Sequence, residues 1–131
     1  MIVLDSSYAL ALVMPDEQRP ASLGRVLDAR LFAPAIWPLE MASALRNGVR
    51  RGRLLEGQIG SLCADLEEFE IDVVAPTHTL PQRHYDAAQS HALTPYDASY
   101  LDLALQRRCS LATLDQALAA AASRAGLTVL S

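Results

Sequence analysis

Four acidic residues sit where an α/β chain would turn from strand into helix. Asp5 follows Ile2-Val3-Leu4, Glu40 lies two residues after Pro38, Asp97 three residues after Thr94, and Asp115 just beyond Ser110-Leu111-Ala112. Singly, each has an ordinary explanation. Asp5 and Asp115 suit helix N-caps, and Glu40 in a first helical turn complements the helix dipole. Thr94-Pro95-Tyr96-Asp97 reads as a capping box with Asp in place of the usual Glu. Together they carry chemistry. In an open parallel sheet, strand C-termini and helix N-termini share one edge, where such folds bind ligands, so the chain would bring four carboxylates together there. Like charges so placed either take up protons or bind a divalent cation that keeps them ionised. Oxygen-only ligation, with no clustered His or Cys, favours Mg²⁺ or Mn²⁺ over zinc. Such an ion can lower the pKa of a bound water and clamp a phosphate for in-line displacement.

The elements that must position these acids are legible from periodicity. Short apolar segments at Ile2–Leu4, Leu31–Ala33, Ile71–Val74, Ser110–Ala112 and Thr128–Leu130 read as strands buried on both faces. Helical patterns cover Tyr8–Met14, Ala21–Ala29, Pro38–Arg51, Leu55–Phe69, Pro81–His91, Pro95–Arg107 and Asp115–Ala125. The clearest is Leu55–Phe69, where Leu55, Ile59, Leu62, Leu66 and Phe69 form one stripe. This alternation predicts an α/β fold with a largely parallel sheet. With 131 residues and no linker or repeat, residues 1–131 form one domain.

Composition excludes several alternatives. All eleven basic residues are Arg, so a Walker P-loop, a Schiff-base enzyme and Lys-dependent phosphotransfer on Asp5 are not supported. Fifteen acids against those eleven give a net charge of −4, and any nucleic-acid contact must therefore be local. Cys63 and Cys109 lie far apart, without metal-ligand spacing, and read as reduced thiols. The apolar run Tyr8–Met14 is too short for a signal peptide or membrane span, so the expected location is cytoplasmic.

Four segments then point to a family: Ile2-Val3-Leu4-Asp5-Ser6-Ser7-Tyr8-Ala9-Leu10, Pro38-Leu39-Glu40-Met41-Ala42-Ser43-Ala44-Leu45, Tyr96-Asp97-Ala98-Ser99-Tyr100-Leu101-Asp102-Leu103-Ala104 and Leu111-Ala112-Thr113-Leu114-Asp115. In order and spacing they resemble PIN-domain ribonucleases, most closely the VapC-type toxins of bacterial toxin–antitoxin pairs. That resemblance implies a five-stranded parallel sheet in the order 3-2-1-4-5. It implies Asp5, Glu40, Asp97 and Asp115 as an acidic quartet around Mg²⁺ or Mn²⁺ that activates water against an RNA phosphodiester. Ser6 stands where the family often has Thr, Ser43 where it often has Asn, and Thr113 matches a family Thr that orients the site. A homodimer and a cognate antitoxin laid across the active-site groove are also implied.

Other residues admit plainer readings. Arg46, Arg50, Arg51 and Arg53 form the basic cluster, either a solvated face or a set of RNA phosphate contacts. Arg107 and Arg108 suit a helix C-terminus. His84 and His91 could share a helix face but have no third ligand nearby for a metal. Trp37 could stack on a base, though a lone Trp beside a strand end is more often core. Asp102 falls about 140° around the helix from Asp97 and is left out of the quartet. The competing reading is a PIN-like module that binds RNA or protein without cutting it.

Overall fold

The first strand, β1 (Ile2–Leu4), already divides the interior in two, because successive side chains point to opposite faces of a sheet. Ile2 and Leu4 enter one apolar cluster together with Tyr8, Leu12, Met41, Leu45, Leu62 and Leu66. Val3 enters the other, with Phe32, Tyr100, Leu101, Leu111 and Leu118. The sheet is therefore covered on both faces, the condition under which parallel strands persist.

The computed structural model describes residues 1–131. After β1 come α1 (Ser6–Val13), α2 (Leu23–Leu27), β2 (Leu31–Pro34), α3 (Trp37–Arg50), a 3₁₀ turn at Glu56–Gln58 and α4 (Ile59–Glu67). The second half runs β3 (Asp72–Val74), α5 (Pro81–His91), α6 (Pro95–Arg107), β4 (Ser110–Ala112), α7 (Gln116–Arg124) and β5 (Val129–Leu130). The five strands form one parallel sheet in the order β3-β2-β1-β4-β5. No helix is long and apolar enough to cross a membrane.

Several elements depart from the sequence-based expectation. The helix expected from Leu55 begins as a 3₁₀ turn, and Leu55 is 73% exposed. Gly57 and Gly60 weaken helix nucleation here, and the Leu55 backbone stays extended while its N–H donates to Gln58 Oε1 at 2.8 Å. Helix α1 starts two residues earlier than expected, since the Ala9 N–H already donates to the Asp5 carbonyl. The Ala21–Ala29 pattern shrinks to the single short α2. Strand β3 is not buried on both faces. It is a sheet edge, with Asp72 outside and ion-paired to Arg30 at 3.0 Å.

Helix α3, which carries Glu40, is terminated by glycine. Gly52 adopts φ +75°, its N–H donates to the Val49 carbonyl, and the Arg53 N–H donates to the Gly48 carbonyl. This is the paired bonding of a Schellman turn. It returns the chain so that Leu54 is buried against Gly48.

Candidate active site

The loop after β1 places Asp5 at the N-cap position of α1, but its carboxylate does not cap that helix. It turns instead toward the end of β4. Ser7 Oγ donates to Asp5 Oδ2 at 2.6 Å and Thr113 Oγ1 to the same oxygen at 2.8 Å. Both hydroxyls are held by backbone donors. The Leu114 N–H donates to Ser7 Oγ and the Asp115 N–H to Thr113 Oγ1, each at 3.0 Å. A hydroxyl has one proton, so occupying its acceptor side from the backbone leaves that proton aimed at Asp5. Asp5 and Thr113 are the two buried polar residues of the chain, at 3% and 1% exposure. This network ties the carboxyl ends of β1 and β4 together.

The other three acids arrive on helix N-termini. Asp115 is the N-cap of α7 and its Oδ1 accepts from the Leu118 N–H at 2.8 Å, as capping preference predicts. Asp97 lies in the first turn of α6, where its N–H donates to the capping Thr94 Oγ1 at 3.1 Å. Glu40 lies in the first turn of α3, and Tyr100 Oη donates to its Oε1 at 2.5 Å. Tyr100 is fully buried. Burial first, and then the bond to Glu40, push its phenol far above the ordinary range, so it remains a proton donor.

Electrostatics link the four carboxylates. Burial raises the Glu40 pKa, and the charges of Asp5 and Asp97 raise it further, against the lowering effect of the Tyr100 bond. Burial likewise raises Asp97, with Asp115 and Asp5 adding like-charge repulsion and the Thr94 bond opposing them. Each acid therefore feels at least one other. No three His, Cys, Asp or Glu side chains stand at metal-holding distance in the structure. The donor set nevertheless suits a hard divalent cation: all its ligands are oxygens, and they repel one another without a counter-charge.

That assembly, on a 3-2-1-4-5 parallel sheet, can be set beside known proteins. Residues 2–124 match the sequence model of the PIN domain. This chain belongs to the PIN-domain family. It is 32% identical over 122 residues to the Pyrobaculum aerophilum protein named ribonuclease VapC3, spanning 90% of this chain and 92% of that one. Its fold matches the crystal structure of PAE2754 from Pyrobaculum aerophilum with a TM-score of 0.73 at 22% identity, covering 98% of this chain and 82% of the other. FitAcB from Neisseria gonorrhoeae matches with a TM-score of 0.57 at 20% identity, over 100% and 97% of the two chains.

Within this PIN domain the supporting residues are arranged unevenly. Ser6 Oγ is 3.5 Å from Asp5 Oδ1, at the limit of a hydrogen bond, and the neighbouring Ser7 makes the short contact instead. Ser43 is exposed on α3 and makes no side-chain hydrogen bond. Arg53 is engaged by Asp16 through two bonds of 2.8 and 3.1 Å and lies 3.5 Å from Glu17, whereas Arg46, Arg50 and Arg51 are exposed and form no ion pair. Arg107 stacks over Phe32 at 4.6 Å, a structural use of its charge. Sequence reasoning missed Ser7 and Tyr100. The signal for Ser7 was the doubled serine after Asp5, and for Tyr100 the i+3 spacing from Asp97, which puts both on neighbouring positions of one helix surface.

Tyr100→Phe removes the phenol oxygen and little else. If Glu40 holds a metal for RNA cleavage, the variant should cut about tenfold more slowly, the cost of removing a partner that orients a metal-ligating carboxylate, with the fold retained by circular dichroism. Unchanged cleavage would remove Tyr100 from the site.

Proposed function

We propose that this PIN domain is a Mg²⁺- or Mn²⁺-dependent endoribonuclease and the toxin of a type II toxin–antitoxin pair. The observation that carries this reading is the position of Asp5, Glu40, Asp97 and Asp115, each at a strand end or helix start on the carboxyl edge of the sheet, with Ser7 and Thr113 bonded to Asp5 and Tyr100 bonded to Glu40. The similarity to a protein named ribonuclease VapC3 supports RNA as the substrate, and the resemblance to VapC-type proteins supports a toxin of this class. Nothing in the site favours a non-catalytic module.

When bound, a divalent ion at the quartet supplies an acidified water and neutralises charge on the phosphate. The chain's own residues do the rest. Asp5, Glu40, Asp97 and Asp115 would hold the ion, Thr113 and Ser7 fix Asp5, and Tyr100 fixes Glu40; Ser6, 3.5 Å from Asp5, and Ser43, three residues along α3 from Glu40, would add polar support from the substrate side. Arg46, Arg50 and Arg51 lie along and just beyond the helix that carries Glu40, so their charge can track an RNA backbone leading away from it. Arg53, already ion-paired, contributes least. A homodimer and an antitoxin covering the groove complete the proposal.

The test treats total RNA with antitoxin-free protein in Mg²⁺, in Mn²⁺ and in EDTA, and maps every new 5′ end. Ends that appear only with the metal and only with Asp97 intact support the reading. The same ends from Asp97→Asn would overturn it. In parallel, a cation in hundredfold excess over its Kd should stabilise the fold by about 2.7 kcal/mol, read as a rise in Tm that EDTA reverses. A Tm indifferent to both ions would count against a metal site.

A further inference from the structure

A cavity of about 240 Å³ opens one strand beyond the acids, at the carboxyl edge of β2 and β3. Its polar wall consists of Thr77, His78, His84, Asp102 and Gln106, and its apolar wall includes Val74 and Leu103. The two imidazoles lie against each other, with ring centroids 4.4 Å apart and planes tilted by 46°. His78 Nδ1 is buried and has no hydrogen-bond partner. The Asp102 carboxylate makes no hydrogen bond to another side chain or to the backbone, and the side chain is 35% exposed. The His91 imidazole Nε2 lies 3.7 Å from it, too long for a hydrogen bond. The Gln106 amide donates to Thr77 Oγ1 at 3.3 Å across the cavity mouth.

The cavity shares both of its principal walls with the quartet. Residues 34–36 leave β2 and lead directly into α3 and Glu40, and Asp102, Leu103 and Gln106 belong to α6, which opens with Asp97. The exposed Tyr96 falls between Asp97 and the cavity-lining Ser99 around α6, at about 100° per residue. The cavity and the acids therefore share the carboxyl edge of the sheet while lying on different faces of α6.

We propose that this cavity is a base subsite that takes one unstacked guanine of the RNA, from a nucleotide flanking the phosphodiester held at the quartet. This rests on the nuclease reading and names its substrate preference. Proteins read single-stranded RNA by stacking splayed bases on aromatic rings, His included, and by bonding their Watson–Crick edges. A carboxylate is acceptor-only. Guanine alone offers it two parallel donors, N1–H and the N2 amino group. Adenine, cytosine and uracil each set an acceptor beside their donor, which Asp102 would repel. Guanine O6 then accepts from the Gln106 amide or the Thr77 hydroxyl. The volume, below the roughly 300–1,000 Å³ of drug-sized clefts, suits one base.

The chain has three histidines, so imidazole resonances report the site directly. In EDTA, guanosine 5′-monophosphate should shift the His78 and His84 signals saturably, and adenosine, cytidine and uridine monophosphates should need concentrations roughly tenfold higher or more, the discrimination of one good bidentate pair. Asp102→Asn, isosteric and partly exposed, should raise the guanosine monophosphate Kd by a similar factor, and His84→Ala should weaken all four nucleotides. In the cleavage map, a G should stand at a fixed offset from the metal-dependent ends, and Asp102→Asn should lower cutting at those sites toward the level at others. Metal-dependent cleavage with no fixed G, and histidine signals that ignore millimolar guanosine monophosphate or answer all four nucleotides alike, would overturn the subsite and leave the nuclease reading intact. Selective histidine shifts without metal-dependent cleavage would uphold the guanine site and overturn the nuclease reading instead.

Discussion

Asp97→Asn should lower RNA cleavage by about 10²–10³-fold or more, the cost of removing one electrostatic partner from a reacting centre. The substitution keeps the shape of the side chain and leaves in place the Asp97 backbone N–H bond to Thr94 Oγ1 that caps α6. It removes one charge from a group whose pKa is raised by burial and by the charges of Asp115 and Asp5. Its effect on stability therefore has a definite sign. A carboxyl whose folded pKa lies above its unfolded value destabilises the fold when ionised, and the loss grows as pH rises through that interval. In EDTA at neutral pH the variant should melt above the wild type. The gap should close as the pH falls below the ordinary carboxylate range, where both chains are neutral at this position. With Mg²⁺ or Mn²⁺ the order should reverse, since the wild type gains more from the ion. An Asp97→Asn chain that is less stable than wild type in EDTA at neutral pH would mean that Asp97 is a structural acid, and the quartet would be wrong at this position.

The architecture was legible in the sequence because strands covered on both faces read as unbroken apolar runs. Val3, Leu4, Leu111 and Ala112 are all fully buried, and their segments were located to the residue. The failures came where tertiary context overrode pattern. Leu55 completes a helical stripe in sequence, yet two glycines and the bond its N–H donates to Gln58 leave it outside the helix and exposed. Ile71–Val74 reads as a core strand, but at the sheet edge it has no outer neighbour and carries the exposed Asp72 and Val73.

The same distinction governs the site. The acids stand out as candidates because backbone topology alone brings strand ends and helix starts to one edge, whatever the side chains do. Their support could not, because it depends on which proton points where. Nothing in Asp5-Ser6-Ser7 says that the second serine makes the short bond. That follows from the Leu114 N–H, which holds Ser7 Oγ from the end of the neighbouring strand β4. His78 and Asp102 carry no spacing signal at all, and only the packing of the β3–α5 connection against α6 makes them neighbours of one cavity.

Thr113→Val should disable the site from beneath. Valine matches threonine in shape but has no hydroxyl, so two features disappear together: the donor to Asp5 Oδ2 and the acceptor of the Asp115 N–H. Thr113 is 1% exposed, so water does not readily replace the lost oxygen. Leaving a buried partner unsatisfied costs about 1–3 kcal/mol, and the Tm should fall accordingly. Partners that orient metal ligands typically cost 10–100-fold in metal affinity or activity when removed, so Mn²⁺ affinity and cleavage should both drop by roughly that factor. Thr113→Ser, which restores the hydroxyl without the methyl, should recover most of the Mn²⁺ affinity while remaining less stable than wild type. That split separates orientation from packing. If Ser and Val variants bound Mn²⁺ equally well, Thr113 would be a core residue that happens to touch Asp5, and the ion would owe nothing to the hydroxyl.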